Sequence, residues 1–144
     1  MWFLNGHVTV RLARADNADG ISITEHLLPG GFGPPWHLHH EEDEIFHILE
    51  GEIRYRLGEA AGQVRAGETV LLPRGIPHGF RVLSERARML TITRGGFEAM
   101  VRSMSRPATG AVLPEPVEPS VELQARLVAA CAANGIEVLG PPIE

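Results

Sequence analysis

Residues Gly30–Gly51 read GGFGPPWHLHHEEDEIFHILEG and place four histidines and five carboxylates between glycine-marked turns. This is either a solvated, charge-rich loop or a ligand set with a geometry, and spacing separates the two. His37 and His39 are two apart in the β-type run WHLH, so both imidazoles leave the same face of a strand. Glu44 follows five residues later, after the polar stretch HEED that can turn the chain, and opens the apolar run EIFHIL. If that run passes beside the first, Glu44 can offer an oxygen to whatever the histidine pair holds. His78, in PRGIPHGF, is the candidate fourth ligand, its approach shaped by Pro73, Gly75 and Pro77. Three imidazoles and one carboxylate suit a divalent transition ion (Fe, Mn, Ni, Cu, Co or Zn) without choosing among them.

Working outward, the runs HVTVRLA, ISITEHLL, IFHIL and EIRYRL are short, rich in β-branched or aromatic residues, and punctuated by Gly and Pro, as strands are. Ile53, Tyr55 and Leu57 alternate with Glu52, Arg54 and Arg56, the period of a strand with one wet face. Gly51, between Glu50 and Glu52, suits a tight turn needing positive φ, and predicts an antiparallel hairpin between the flanking runs. The pattern continues through QVRAGETVLLPRGIPHGFRV and ARMLTIT, so the fold class is all-β, a sandwich or small barrel. After Gly95 the character changes. FEAMVRSM reads as a short helix and SRPATGAVLPEPVEPS as a Pro-rich connector. VELQARLVAACAAN has helical spacing, with Ser120 to cap its start and Asn134-Gly135 its end, and packs on the β-domain or a partner subunit. GIEVLGPPIE follows as an extended tail. The 144 residues thus form one domain, a barrel over about 7–94 and a C-terminal helical extension over about 97–144.

Bulk composition narrows the partners. Hydrophobic residues make up 44% and charged ones 22%, a globular balance. A net charge of −5 and no Lys/Arg cluster argue against nucleic acid and anionic membrane surfaces as partners. One cysteine, Cys131, excludes an intrachain disulfide and a Cys-based zinc site. With no long apolar stretch at the N-terminus or elsewhere, a cytoplasmic protein is expected.

The spacing resembles that of the cupin superfamily. Its first motif has counterparts at Gly31, His37, His39, Glu44 and Gly51, and its second at Gly67, Pro73, Gly75 and His78, with Val82 where the family often carries Asn. PPWHLHHEEDEIFHILEGE, the later GGFE and a C-terminal helix leading to GIEVLGPP are similar to small bacterial cupins of the quercetin dioxygenase type. The resemblance implies a double-stranded β-helix (jelly-roll) barrel, a metal site of His37, His39, Glu44 and His78, and a catalytic role for Glu44 as acceptor of a substrate hydroxyl proton. It also implies a homodimer.

Strand parity sorts the rest. His40 and His47 have the opposite parity to the ligands and point away, while His7 and His26 take no role. Glu41, Glu42 and Asp43 read as a solvated turn, with the alternative that one orients a ligating histidine. Phe46 and Ile48 share the face of Glu44, Phe80 and Val82 that of His78. Together with Tyr55, whose hydroxyl could contribute, these five are the expected substrate pocket. Met100 and Met104 are expected to serve packing. The leading functional reading is a metal-dependent dioxygenase acting on a small aromatic, flavonoid-like or enol compound. The alternatives are an isomerase or cyclase that uses the ion without dioxygen, and a non-catalytic module that binds a small molecule.

Overall fold

The structure, a computed structural model, describes all of residues 1–144. Eleven strands build two facing antiparallel sheets. The strands are β1 (Trp2–Phe3), β2 (Gly6–Leu12), β3 (Ser22–Pro29), β4 (Trp36–His39), β5 (Glu44–Glu50) and β6 (Glu52–Leu57), then β7 (Ala60–Arg65), β8 (Thr69–Leu72), β9 (His78–Val82), β10 (Arg86–Thr93) and β11 (Ile136–Gly140). One sheet has the order β1-β2-β3-β10-β5-β8 and the other β11-β4-β9-β6-β7. The crossing of consecutive strands between two sheets makes the all-β jelly roll, with helices α1 (Phe97–Met104) and α2 (Val121–Ala132) appended.

The expected hairpin at Gly51 does not form. β5 pairs with β10 and β8, whereas β6 pairs with β7 and β9, so Gly51 carries the chain from one sheet to the other. Its φ is 87°, and a Cβ there would meet the Ser84 hydroxyl and the Arg86 carbonyl. The glycine is therefore needed for positive φ and for close approach, but in service of a crossover rather than a hairpin.

Alternation along each strand places one face inside. Leu28, Phe46, Ile48, Ile53, Leu72, Phe80, Val82, Ala87 and Met89 form the barrel core, with Ile48 and Ile53 fully buried. Truncating either isoleucine to alanine costs about 2–5 kcal/mol. A second cluster joins Phe3 and Val8 to Phe97, Met100 and Val101 of α1, Leu127 and Cys131 of α2, and Ile136 of β11. The extension is thus docked on its own barrel. Ser120 caps α2 by accepting from the Leu123 N–H at 3.0 Å, and Gly135, at φ 75°, turns the chain into β11. β11 then pairs antiparallel with β4, the strand that carries His37 and His39. No helix is long and apolar enough to cross a membrane.

Candidate metal centre

His37 and His39 leave β4 toward the barrel interior, and β9 places His78 directly across from His37 in the same sheet. Glu44, at the start of β5, comes from the opposite sheet: it reaches across the barrel rather than lying beside the histidine strand. The four residues offer ligand atoms that all lie within 4.8 Å of one another, and His39, Glu44 and His78 are buried. The rings crowd without coplanar contact in two of three pairs. Centroids are 4.5 Å apart for His37–His78, 5.2 Å for His37–His39 and 5.3 Å for the stacked His39–His78 pair.

The outer nitrogens settle which atoms face inward. His37 Nδ1 donates to the Pro35 carbonyl at 2.6 Å, His78 Nδ1 to the Ile76 carbonyl at 3.2 Å, and His39 Nδ1 to Glu42 Oε2 at 3.1 Å. Each partner can only accept, so each Nδ1 carries the proton and each Nε2 is the inward, ligand-type nitrogen. His78 Nε2 lies 2.9 Å and His39 Nε2 3.1 Å from Glu44 Oε2. The His39 contact is misdirected for a hydrogen bond, and Nε2 is a buried nitrogen without a partner. A buried, unpartnered imidazole nitrogen aimed between two imidazoles and a carboxylate fits a divalent transition ion held by these four residues.

Electrostatics agree with a cation-shaped site. Burial would raise the Glu44 carboxyl, but His39 and then His78 hold it well below the usual carboxylate range, so it is ionised. Burial lowers His37 to about 4, helped by His78 and opposed by Glu44, so it is neutral and ready to ligate. For His39 burial is outweighed by the Glu44 and Glu42 carboxylates, which push it up to about 10. A positive charge is wanted at this point, whether as a proton or as an ion.

Glu42 corrects the reading of HEED as a solvated turn. It is 1% exposed and accepts three hydrogen bonds: from His39 Nδ1, from the Gly95 N–H at 2.8 Å and from the Phe97 N–H at 3.0 Å. Asp43 and Glu41 are exposed, Asp43 accepting from the Arg74 backbone and guanidinium. The GGF turn fits this role because a Cβ on Gly95 would lie 2.9 Å from Glu42. His40 lies outside and bonds Glu137 of β11, and His47, half-buried on the outer face of β5, pairs with Thr69.

A partly open cavity of about 70 Å³ abuts His37, His39 and Glu44. Phe46 and Phe80 line it, but Ile48, Tyr55 and Val82 do not. Same-face neighbours on a strand are about 6.6 Å apart, so Ile48 and Val82, four residues beyond Glu44 and His78, belong to the far core. The Tyr55 ring lies over Gly62 on β7. Much of the wall comes from the chain ends, which motif spacing did not reach: Phe3, Phe97, Met100, Leu127, Ile136 and Val138. His26, without a role in the sequence, also lines it. Helical periodicity in α1 and α2 showed apolar faces but not what they cover.

Comparison with known proteins places this geometry. Residues 23–93 match the family model described as Cupin domain. Over 80 residues the chain is 31% identical to quercetin 2,3-dioxygenase of Bacillus subtilis, spanning 54% of this chain and 24% of that enzyme. The chain therefore spans about a quarter of the length of that relative, and about half of two uncharacterised ones, from Streptomyces coelicolor and Methanocaldococcus jannaschii. Among solved structures, the cupin domain of Schizosaccharomyces pombe Cnp3 superposes with a TM-score of 0.57 at 13% identity, over 65% of this chain and 63% of that one. The DMSP lyase DddQ of Ruegeria pomeroyi gives 0.55 at 25% identity, over 65% and 49%. Residues 23–93, in which β4 and β9 carry the three ligand-type histidines, are a cupin domain.

Proposed function

We propose that this protein is a metal-dependent dioxygenase acting on a small aromatic or enol compound. The supporting observation is the convergence of three inward Nε2 atoms and the Glu44 carboxylate, with His37, His39 and Glu44 forming one side of a partly open, mostly apolar cavity. A bound ion supplies Lewis acidity toward a substrate hydroxyl and, with a redox-active metal, chemistry with dioxygen. The protein does the rest. Glu44, ionised and buried among imidazoles, is placed to accept the proton of a substrate hydroxyl. Phe46, Phe80, Phe97 and Leu127 exclude water from the reacting group.

Volume restricts the part of the substrate that reaches the ligands. A cavity of about 70 Å³ is small beside the roughly 300–1,000 Å³ of a drug-sized site. A compact enol or a single aromatic ring suits this space, and a larger molecule would extend past Leu4, Phe32 and Leu127 into the adjoining cleft of about 770 Å³. The relatives include one named a dioxygenase and one named a lyase, so use of oxygen is the decisive point. The protein loaded with each metal in turn is offered a panel of small enols and phenols in an oxygen electrode. The expected result is oxygen uptake matching substrate loss, abolished in Glu44→Gln. Turnover equally fast under strict anaerobiosis would replace this reading with isomerase or cyclase chemistry at the same ligands.

A further inference from the structure

Apart from the ligands, the only side chains on the cavity wall that offer a nitrogen, hydroxyl or thiol are His26, Thr91 and Cys131. His26 sits on the inner face of β3, 6% exposed, and is no fifth ligand: it stands outside the cluster of converging donor atoms. Phe97 packs beside both, its ring centroid 6.0 Å from His26 and from His39. One nitrogen of His26 is accounted for, Nε2 lying 2.9 Å from the Thr24 hydroxyl. Thr24 pairs with Thr91 on β10, so the ring is braced by the two central strands of the six-stranded sheet. Nδ1 makes no hydrogen bond within the protein and, unlike His39 Nε2, is not wholly shut off from solvent, so it is open to a partner entering the cavity.

We propose that His26 is a second, non-ligating contact for the substrate: its free Nδ1 holds a hydroxyl group of a small molecule whose other oxygen faces the ion-binding side of the cavity. This rests on the metal-site reading above and adds a substrate class to it, a compact molecule with two oxygen functions. A hydroxyl is the matching group because it donates or accepts as needed, whichever tautomer Thr24 selects. Burial lowers His26 to about 4, against a smaller opposing effect of Glu44, so the ring is neutral and suits an uncharged group better than a second anion. The apolar surroundings strengthen one such hydrogen bond and leave few others to compete with it.

The test uses the cobalt(II)-loaded protein, whose absorption reports carboxylates binding at the metal, and pairs of simple acids that differ by one terminal hydroxyl. Acetate is set against glycolate, propionate against 3-hydroxypropionate, and butyrate against 4-hydroxybutyrate. One neutral hydrogen bond makes at least one hydroxy acid bind roughly threefold to tenfold more tightly than its parent. In His26→Leu that gain disappears, with cobalt content and affinity for the parent acids unchanged. His26→Asn, whose amide overlays Nδ1, retains part of it. Should His26→Leu not fold, Thr24→Val removes the hydroxyl that positions the ring and reduces the gain in the same way. A gain that survives in the leucine variant, or that is absent from wild type, overturns the proposal while leaving the metal site intact. A cobalt spectrum that no carboxylate moves overturns the open-site reading itself, and this proposal with it.

Discussion

Glu42 offers the sharpest test of how the barrel supports its metal centre. Its Oε2 accepts from His39 Nδ1 and the Phe97 N–H, its Oε1 from the Gly95 N–H, and it is 1% exposed. Glu42→Ala leaves three donors without their acceptor. Each unpaired buried group costs about 1–3 kcal/mol, so a loss of about 3 kcal/mol in folding stability is expected. At this chain length that lowers Tm by roughly 6–12 °C. His39 also loses the acceptor that fixes its tautomer and ring plane. Loss of such a partner typically weakens metal binding by about 10–100-fold, or about 1.4–2.7 kcal/mol. Glu42→Gln is milder: with its oxygen kept at the Oε2 position, it turns an NH2 toward the Gly95 N–H and loses one of three bonds.

The assays are metal Kd by competition with a chelator of known affinity and thermal unfolding of the chelated protein. The expected order in both is wild type, then Gln, then Ala, with Kd rising about tenfold for Gln. The reasoning is refuted if Tm falls as stated while Kd for both variants stays within twofold of wild type. Glu42 would then brace the GGF turn and have no hold on His39.

Two further outcomes follow from the same geometry. His39, at about 10 through Glu44 and Glu42 against the effect of burial, carries a proton at pH 7 that an incoming ion must displace, whereas His37, at about 4, is already free. Metal binding should release about one proton per ion from His39 and tighten about tenfold per pH unit as pH rises between 6 and 9. Calorimetry in buffers of different ionisation enthalpy reads this, and no proton release refutes it. Gly96→Ala tests the docking of the extension: Gly96 has an ordinary φ of −81°, but a Cβ there would overlap the Asn134 carbonyl after α2. About 2 kcal/mol of overpacking, a fall in Tm of roughly 4–8 °C, is expected, and an unchanged Tm would show that the extension yields freely.

Much of this was legible in the amino-acid order because it depends on local periods. Two histidines on one strand face, a carboxylate at the start of the next run, and a histidine after Pro and Gly are placed by a period of two and by turn chemistry. The same parity put His40 and His47 outside, where they bond Glu137 and Thr69. Helix α2 was readable for a similar reason, since a capping serine and a terminal glycine act within one turn.

What tertiary structure decided are relations between segments far apart in the chain. Periodicity says that a face is buried, not against what. Gly51 therefore looked like a hairpin but joins two sheets, and Glu44 reaches its partners from across the barrel. Glu42 looked solvated beside three other acidic residues, until the Gly95 and Phe97 N–H groups, more than fifty residues on, enclosed it. The cavity wall and the free nitrogen of His26 belong to the same class. Side-chain types and local spacing determine which groups can bind an ion, but a cavity is the space between segments, and only the packed chain has one.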